Sequence, residues 1–233
     1  MRPTGARRNW ADNSARTIDG PSADAVNTQG RKTAAVISLH EDQLISQILQ
    51  FLLDTIFGFF VFVLLARFYL QLLRAPFRNP LAQFVSALTN WLVLPARRFI
   101  PGMFGVDLAS LLLAWLLEAL LLFLLYSLRG SGFAGGSGAL VGLLLSLSVF
   151  ELVRYSLYLL IGVILIQAVI SWVSPRAPLA PLFNALTAPF LRPFQRRIPP
   201  IGNVDLSPLF VLVAAQLLLI PLEYLARSVA TLF

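Results

Sequence analysis

Of 233 residues, 58% are hydrophobic and 12% charged, and the mean hydropathy is +0.78, more apolar surface than a water-soluble fold of this size can bury. Lipid is therefore the expected solvent for most of the chain. The absence of cysteine excludes disulfides, thiolate nucleophiles and cysteine-held metals, and the single histidine, His40, excludes a histidine-rich metal site. The net charge of +7 does not point to nucleic acid, because eight of the 18 basic residues fall in two interhelical loops, where positive-inside topology places them.

Residues 1–43 interleave Arg2, Arg7, Arg8, Arg16, Arg31 and Lys32 with Asp12, Asp19, Asp24, Glu41 and Asp42 among small polar residues. Too few large apolar side chains are present to offset chain ordering, so this leader is expected to be disordered. No apolar core follows its basic start, so a secretory signal is not expected. The first repeat unit, 44–128, opens on a span from Leu44 to Leu73, continuously apolar from Phe51 and long enough to cross a bilayer at about 1.5 Å per residue. It carries Asp54 near its start and Arg67 near its end. Arg67 is expected to snorkel to the interface, with a buried ion pair as the alternative.

Residues 74–101 are interrupted by Pro76, Pro80 and Pro95, yet Leu81, Phe84, Val85, Leu88, Trp91, Leu92 and Leu94 recur at helical spacing. This pattern predicts an amphipathic helix lying in the membrane surface, with Trp91 at headgroup level and Arg97 and Arg98 toward lipid phosphates. Asp107 is placed to cap a second span, Leu108–Leu128. Residues 129–139, rich in glycine and serine, read as a flexible linker. In the second unit, 140–227, Leu140–Phe150 is too short to cross alone, and Glu151 and Arg154 interrupt it at a pairing distance of three residues. Tyr155–Val173 is the expected third span; one long tilted helix is the alternative. The prolines of Ser174–Pro200 predict a surface segment broken into turns. A fourth span runs from Leu206 to about Ala226, with Asp205 as its cap, Pro208 in its first turn and Pro221 as a possible kink, and residues 228–233 form a tail.

Sliding the chain by 98 residues superposes Pro80-Leu81-Ala82 on Pro178-Leu179-Ala180 and Ala87-Leu88-Thr89 on Ala185-Leu186-Thr187. The same register carries Pro95, Arg98, Ile100, Pro101 and Asp107 onto Pro193, Arg196, Ile198, Pro199 and Asp205. Such agreement predicts an internal duplication. Each unit crosses the membrane twice, so the two helical hairpins run parallel and both arginine-rich segments share one face. The expected fold is an all-α membrane protein of four transmembrane helices in two such repeats, with amphipathic surface helices between the spans. Arginine counts put the shared face in the cytoplasm and the termini outside.

The second copy, Leu186, Thr187, Pro189, Leu191, Pro193, Arg196, Arg197, Ile198 and Pro199, then Gly202 and Asp205-Leu206-Ser207-Pro208, with Ser171-Trp172 before it, resembles the signature of the YggT family of bacterial and plastid membrane proteins. The first copy departs from it, with Asn90-Trp91 in place of Ala188-Pro189 and Ala109-Ser110 in place of Ser207-Pro208. The resemblance implies a multi-pass protein of the bacterial inner membrane. It also implies roles of the kind attached to relatives: tolerance of osmotic shock, haem attachment in the cytochrome b6f complex, and nucleoid or division-related organisation.

No nucleotide-binding loop, nucleophile and base pair, or metal cluster is present, so an enzyme, a cofactor or a bound metal is not expected. Two sets of residues carry the functional expectation. The first faces lipid or a partner, or is structural: Thr89, Pro95, Arg97, Arg98, Pro101 and Asp107, and Thr187, Pro189, Pro193, Arg196, Arg197, Pro199, Asp205, Ser207 and Pro208. Its arginines suit anionic lipid headgroups, and Asp107 and Asp205 are expected to clasp Arg98 and Arg196-Arg197. The second set is intramembrane: Glu118 and its counterpart Gln216, expected to face the bundle interior, with Arg67 and Gln167 as partners. The leading expectation is a non-enzymatic scaffold or assembly factor, acting with the bilayer and a membrane-protein partner. The alternative is an ion or osmolyte conduit between the repeats.

Overall fold

The computed structural model describes residues 23–76, 79–98, 107–128, 137–174, 176–197 and 205–231, without the side chains of 23–40, 42, 137 and 139. Among these residues are six helices and no strand: α1 (Ala23–Leu72), α2 (Pro80–Ala96), α3 (Leu108–Leu128), α4 (Ser137–Val173), α5 (Ala180–Gln195) and α6 (Ser207–Ala230). Four stretches are long and apolar enough to cross a membrane: Gln43–Leu72, Leu108–Leu128, Leu140–Val173 and Ser207–Ala230. Residues 1–22 of the leader, most of the 129–139 linker, and Pro101 and Pro199 lie outside the described residues.

The chain divides into two compact units, Met1–Ile48 and Leu49–Phe233. The first is helical from Ala23, so the expectation of disorder fails for the second half of the leader. No proline separates Pro21 from Pro76, and helix extends readily from an existing turn through such residues.

Two further expectations are corrected. α4 is one helix of 37 residues, not a short piece followed by a span. Glu151 and Arg154 interrupt its composition without breaking its backbone, because they pair on one helix face. α5 is the surface helix expected in the second unit, but it runs unbroken over 16 residues, with Pro181 in its first turn and Pro189 and Pro193 inside it, where those prolines were expected to break the segment into turns. Both internal prolines are exposed and four residues apart, so most of the backbone polarity they leave unpaired lies on an open face. α2 begins at Asn79, whose side-chain oxygen accepts from the Ala82 amide at 2.8 Å, with Pro80 in the first position where its missing donor costs nothing.

Packing joins the halves. Val63 and Leu70 of α1, Ala82 and Val85 of α2, and Leu182 and Leu186 of α5 form one buried cluster. Val61, Leu64 and Leu65 of α1 form a second with Val93 of α2 and Ala109 and Ala114 of α3. Ile164, Leu191 and Val211 tie α4, α5 and α6 together. Large apolar side chains such as Phe51, Leu116, Trp172 and Ile220 remain exposed on the outer faces of the long helices, as lipid-facing residues do. α1 and α4 meet closely at Gly58, where an added Cβ would lie 2.8 Å from the Tyr155 hydroxyl but 3.6 Å from its ring carbon Cζ. The atom met is the end of a tyrosine side chain that can shift, and alanine is the better helix former by about 1 kcal/mol, so Gly58→Ala is expected to move stability by no more than about 1 kcal/mol. Gly58→Ala with Tyr155→Phe should be the more stable of the two variants, read as the midpoint of denaturant unfolding in micelles.

Candidate functional site

The end of α1, the length of α2 and the start of α3 converge on Arg67, which is 5% exposed. Its Nη1 donates to Thr89 Oγ1 at 2.7 Å and to Asn90 Oδ1 at 2.8 Å, and its Nε to Asp107 Oδ2 at 3.2 Å. Thr89 in turn donates to the Val85 carbonyl at 2.7 Å, which orients its oxygen lone pairs for the guanidinium. Arg97 Nη2 reaches Asp107 Oδ2 at 2.6 Å and Ser110 Oγ donates to it at 2.7 Å. Arg67 therefore does not snorkel. Fixed acceptors on α2 and α3 satisfy its charge where it stands, which a lipid interface would do less completely.

Asp107 is an ion hub more than a helix cap. Its carboxylate is taken by two guanidinium groups and a hydroxyl, and the expected clasp forms with Arg97 and Arg67, while Arg98 is exposed. Burial alone would raise its pKa. Hydrogen bonds from Arg97 and Ser110 and the charges of Arg97 and Arg67 outweigh that and hold it below the ordinary 3.8. A carboxylate with a depressed folded pKa contributes stability above its unfolded value, lost as pH falls through the folded one. The stability difference between wild type and Asp107→Asn should accordingly be constant above about pH 5 and shrink progressively below 3.8, measured as unfolding midpoints across that range.

The second half repeats the placement with different chemistry. Thr187, 2% exposed, donates to the Phe183 carbonyl at 2.8 Å. Gln167 on α4 donates to Asn184 Oδ1. Asp205 accepts from Gln195 Nε2 and from the Ser207 amide, each at 2.8 Å. The expected pairing of Asp205 with Arg196-Arg197 is replaced by these neutral donors. Burial raises the Asp205 pKa, and the Ser207 amide and Gln195 more than reverse it, leaving it below the ordinary carboxylate value. Ser207 and Pro208 are buried in the first turn of α6. Along the end of α5, Pro189, Arg192, Pro193, Arg196 and Arg197 line an open groove of about 330 Å³. Pro95 is the next-to-last residue of α2.

Glu118 is buried on α3 at 2% exposure, and its Oε2 has no hydrogen-bond partner among the described residues. The charges of Glu151, Arg154 and Asp54 act on it. Arg67 and Gln167 do not serve it, since their bonds go to α2 and α5. Gln216 is exposed instead of facing inward. The 98-residue register holds in the first turn, where Ala109-Ser110 and Ser207-Pro208 are all buried, and slips by one residue beyond it, where Ala114 and Glu118 of α3 are matched by Val211 and Ala215 of α6.

Four long apolar helices joined through short ones, with polar networks at the span ends, define a multi-pass helical membrane protein. The CCB3/YggT family model matches residues 46–128 and again 146–226. Pseudomonas aeruginosa "Uncharacterized protein PA0392" is 38% identical over 170 residues, 72% of this chain and 84% of the relative. A Vibrio alginolyticus "Uncharacterized protein in proC 3'region" is 36% identical over 169 residues, covering 72% and 89%. "Uncharacterized protein YggT" of Escherichia coli K12 is 35% identical over 169 residues, covering 71% and 84%. No solved structure matches significantly. The chain belongs to the CCB3/YggT family.

Proposed function

We propose that this protein is a non-enzymatic scaffold or assembly factor of the bacterial inner membrane, gathering anionic lipid and a membrane-protein partner at its arginine-rich face. In this reading the two family copies are parallel helical hairpins, with the ends of α2 and α5 toward the cytoplasm. The carrying observation is the groove at Pro189, Arg192, Pro193, Arg196 and Arg197. Its three guanidinium groups are exposed, and none is in an ion pair among the described residues. Exposed Trp91, Leu94 and Phe190 flank the two basic ends, the pairing of apolar anchor and cation that suits a headgroup layer. Tolerance of osmotic stress by the envelope is the setting that the family resemblance implies. The test is retention of phosphatidylglycerol over phosphatidylcholine in nanodiscs by native mass spectrometry. Selective retention lost in Arg196→Glu/Arg197→Glu supports the reading, and retention without lipid selectivity removes it.

One observation favours a second reading. A buried carboxylate within a span, Glu118, with an oxygen unpartnered among the described residues and in the field of Glu151, Arg154 and Asp54, is the kind of group that marks a polar path for ions or osmolytes. Function that survives Glu118→Leu but not charge reversal at Arg196-Arg197 favours the scaffold; the opposite pattern favours the conduit.

A further inference from the structure

The two halves place the same polar scaffold at corresponding points and fill it differently. Thr89 and Asp107 recur as Thr187 and Asp205 at the 98-residue offset, and Arg97 becomes Gln195. Arg67 and Gln167 stand 100 residues apart, as do the starts of the two family matches at 46 and 146. Each reaches the corresponding position of the following short helix, Arg67 at the Ser86 carbonyl and Gln167 at Asn184. Both guanidinium groups of the first site are thus glutamines in the second. A cavity of about 130 Å³ lies there, lined among others by Gln167, Thr187, Gln195 and Asp205.

We propose that this cavity binds a guanidinium group supplied from outside the chain. Asp205 receives only neutral donors, Gln195 and the Ser207 amide, and has no ion pair among the described residues. Gln167 Oε1 is buried without a hydrogen-bond partner, an acceptor left open at the place where the first half holds a charged donor. Thr187 has its hydroxyl proton committed to Phe183, which leaves its oxygen to accept, as Thr89 does for Arg67. Trp172 also lines the cavity, and an indole face is the side chain best suited to a planar cation. Arg192 also lines the cavity and is exposed; its charge opposes a second cation, so binding depends on the Asp205 carboxylate offsetting it. A guanidinium matches a carboxylate with two parallel bonds.

The test uses the full chain in nanodiscs, titrated with millimolar methylguanidinium and with sodium as control, reading thermal midpoint and tryptophan emission. Saturable stabilisation by methylguanidinium is expected in wild type, weakened about tenfold or more in Asp205→Asn. It should be absent in Gln167→Arg, which supplies the group internally. No saturable response in wild type, or an equal response in Asp205→Asn, overturns the proposal whether or not Gln167→Arg folds. An acetylated, amidated Gly-Arg-Gly peptide separates the two sources. Tighter binding than methylguanidinium assigns the site to an arginine side chain of another polypeptide; equal or weaker binding assigns it to a free small cation.

Discussion

Arg67→Leu lowers the unfolding free energy by about 3–5 kcal/mol, the scale on which breaking one partner from a buried ion pair is felt. The substitution removes bonds to Thr89, Asn90 and Asp107 together, and among the described residues no other side chain donates to Thr89 or Asn90 in the guanidinium's place. Asp107→Leu costs at least as much, because it strands Arg67, buried to 6% side-chain exposure, without a counter-ion. Arg97→Ala costs about 1 kcal/mol or less, since its side chain is 39% exposed and water screens the pair. The double variant Arg67→Leu/Asp107→Leu falls short of the sum of the single losses, as expected for groups in one network. Helix content against denaturant in micelles reads all four. Equal small losses for Arg67→Leu and Arg97→Ala would mean that the network does not anchor the fold.

Reversing both charges in Arg196→Glu/Arg197→Glu weakens binding of phosphatidylglycerol by at least about 30-fold. Each basic residue near an anionic surface contributes about 1 kcal/mol, so losing two removes about 2 kcal/mol before any repulsion from the new carboxylates. The effect belongs to the groove at the end of α5, where Arg192, Arg196 and Arg197 are exposed. A charge reversal at Arg97 in the first half, whose counterpart is Gln195, acts less on lipid and more on the fold, because that guanidinium is already paired with Asp107. Salt separates the cases: lipid retention by the α5 groove weakens as ionic strength rises, whereas the buried Arg67–Asp107 pair is largely insensitive. Lipid occupancy by native mass spectrometry over a salt series checks the first, and the unfolding midpoints of wild type and Arg67→Leu over the same series check the second.

How much of this the sequence carried depends on the kind of signal. The four spans were legible because length and continuous apolarity are enough to mark them; Leu108–Leu128 was placed to the residue. The continuity of α4 through Glu151 and Arg154 was not, since a hydropathy pattern cannot tell a paired charge on one helix face from a chain break. A surface helix at α5 is legible; its running unbroken is not, because proline density does not tell which face of a helix the prolines occupy. At the polar site, Arg67 and Asp107 were visible as unusual residues, but their partnership spans 40 positions and only tertiary packing creates it. Asn90, Ser110, Asn184 and Gln195 carried no pattern of their own. Asn79 was findable, since Asn before Pro at a helix start is a cap signal. The turn of α6 that exposes Gln216 follows from helix packing, which a 98-residue register does not encode.

Ion flux across liposomes holding the purified protein, under an osmotic gradient and with wild type beside Glu118→Leu, is the measurement that bears most directly on a scaffold that conducts nothing. The account predicts flux no higher than in empty liposomes for both proteins. Flux in wild type that Glu118→Leu abolishes would contradict it and place a conducting path along the buried carboxylate of α3.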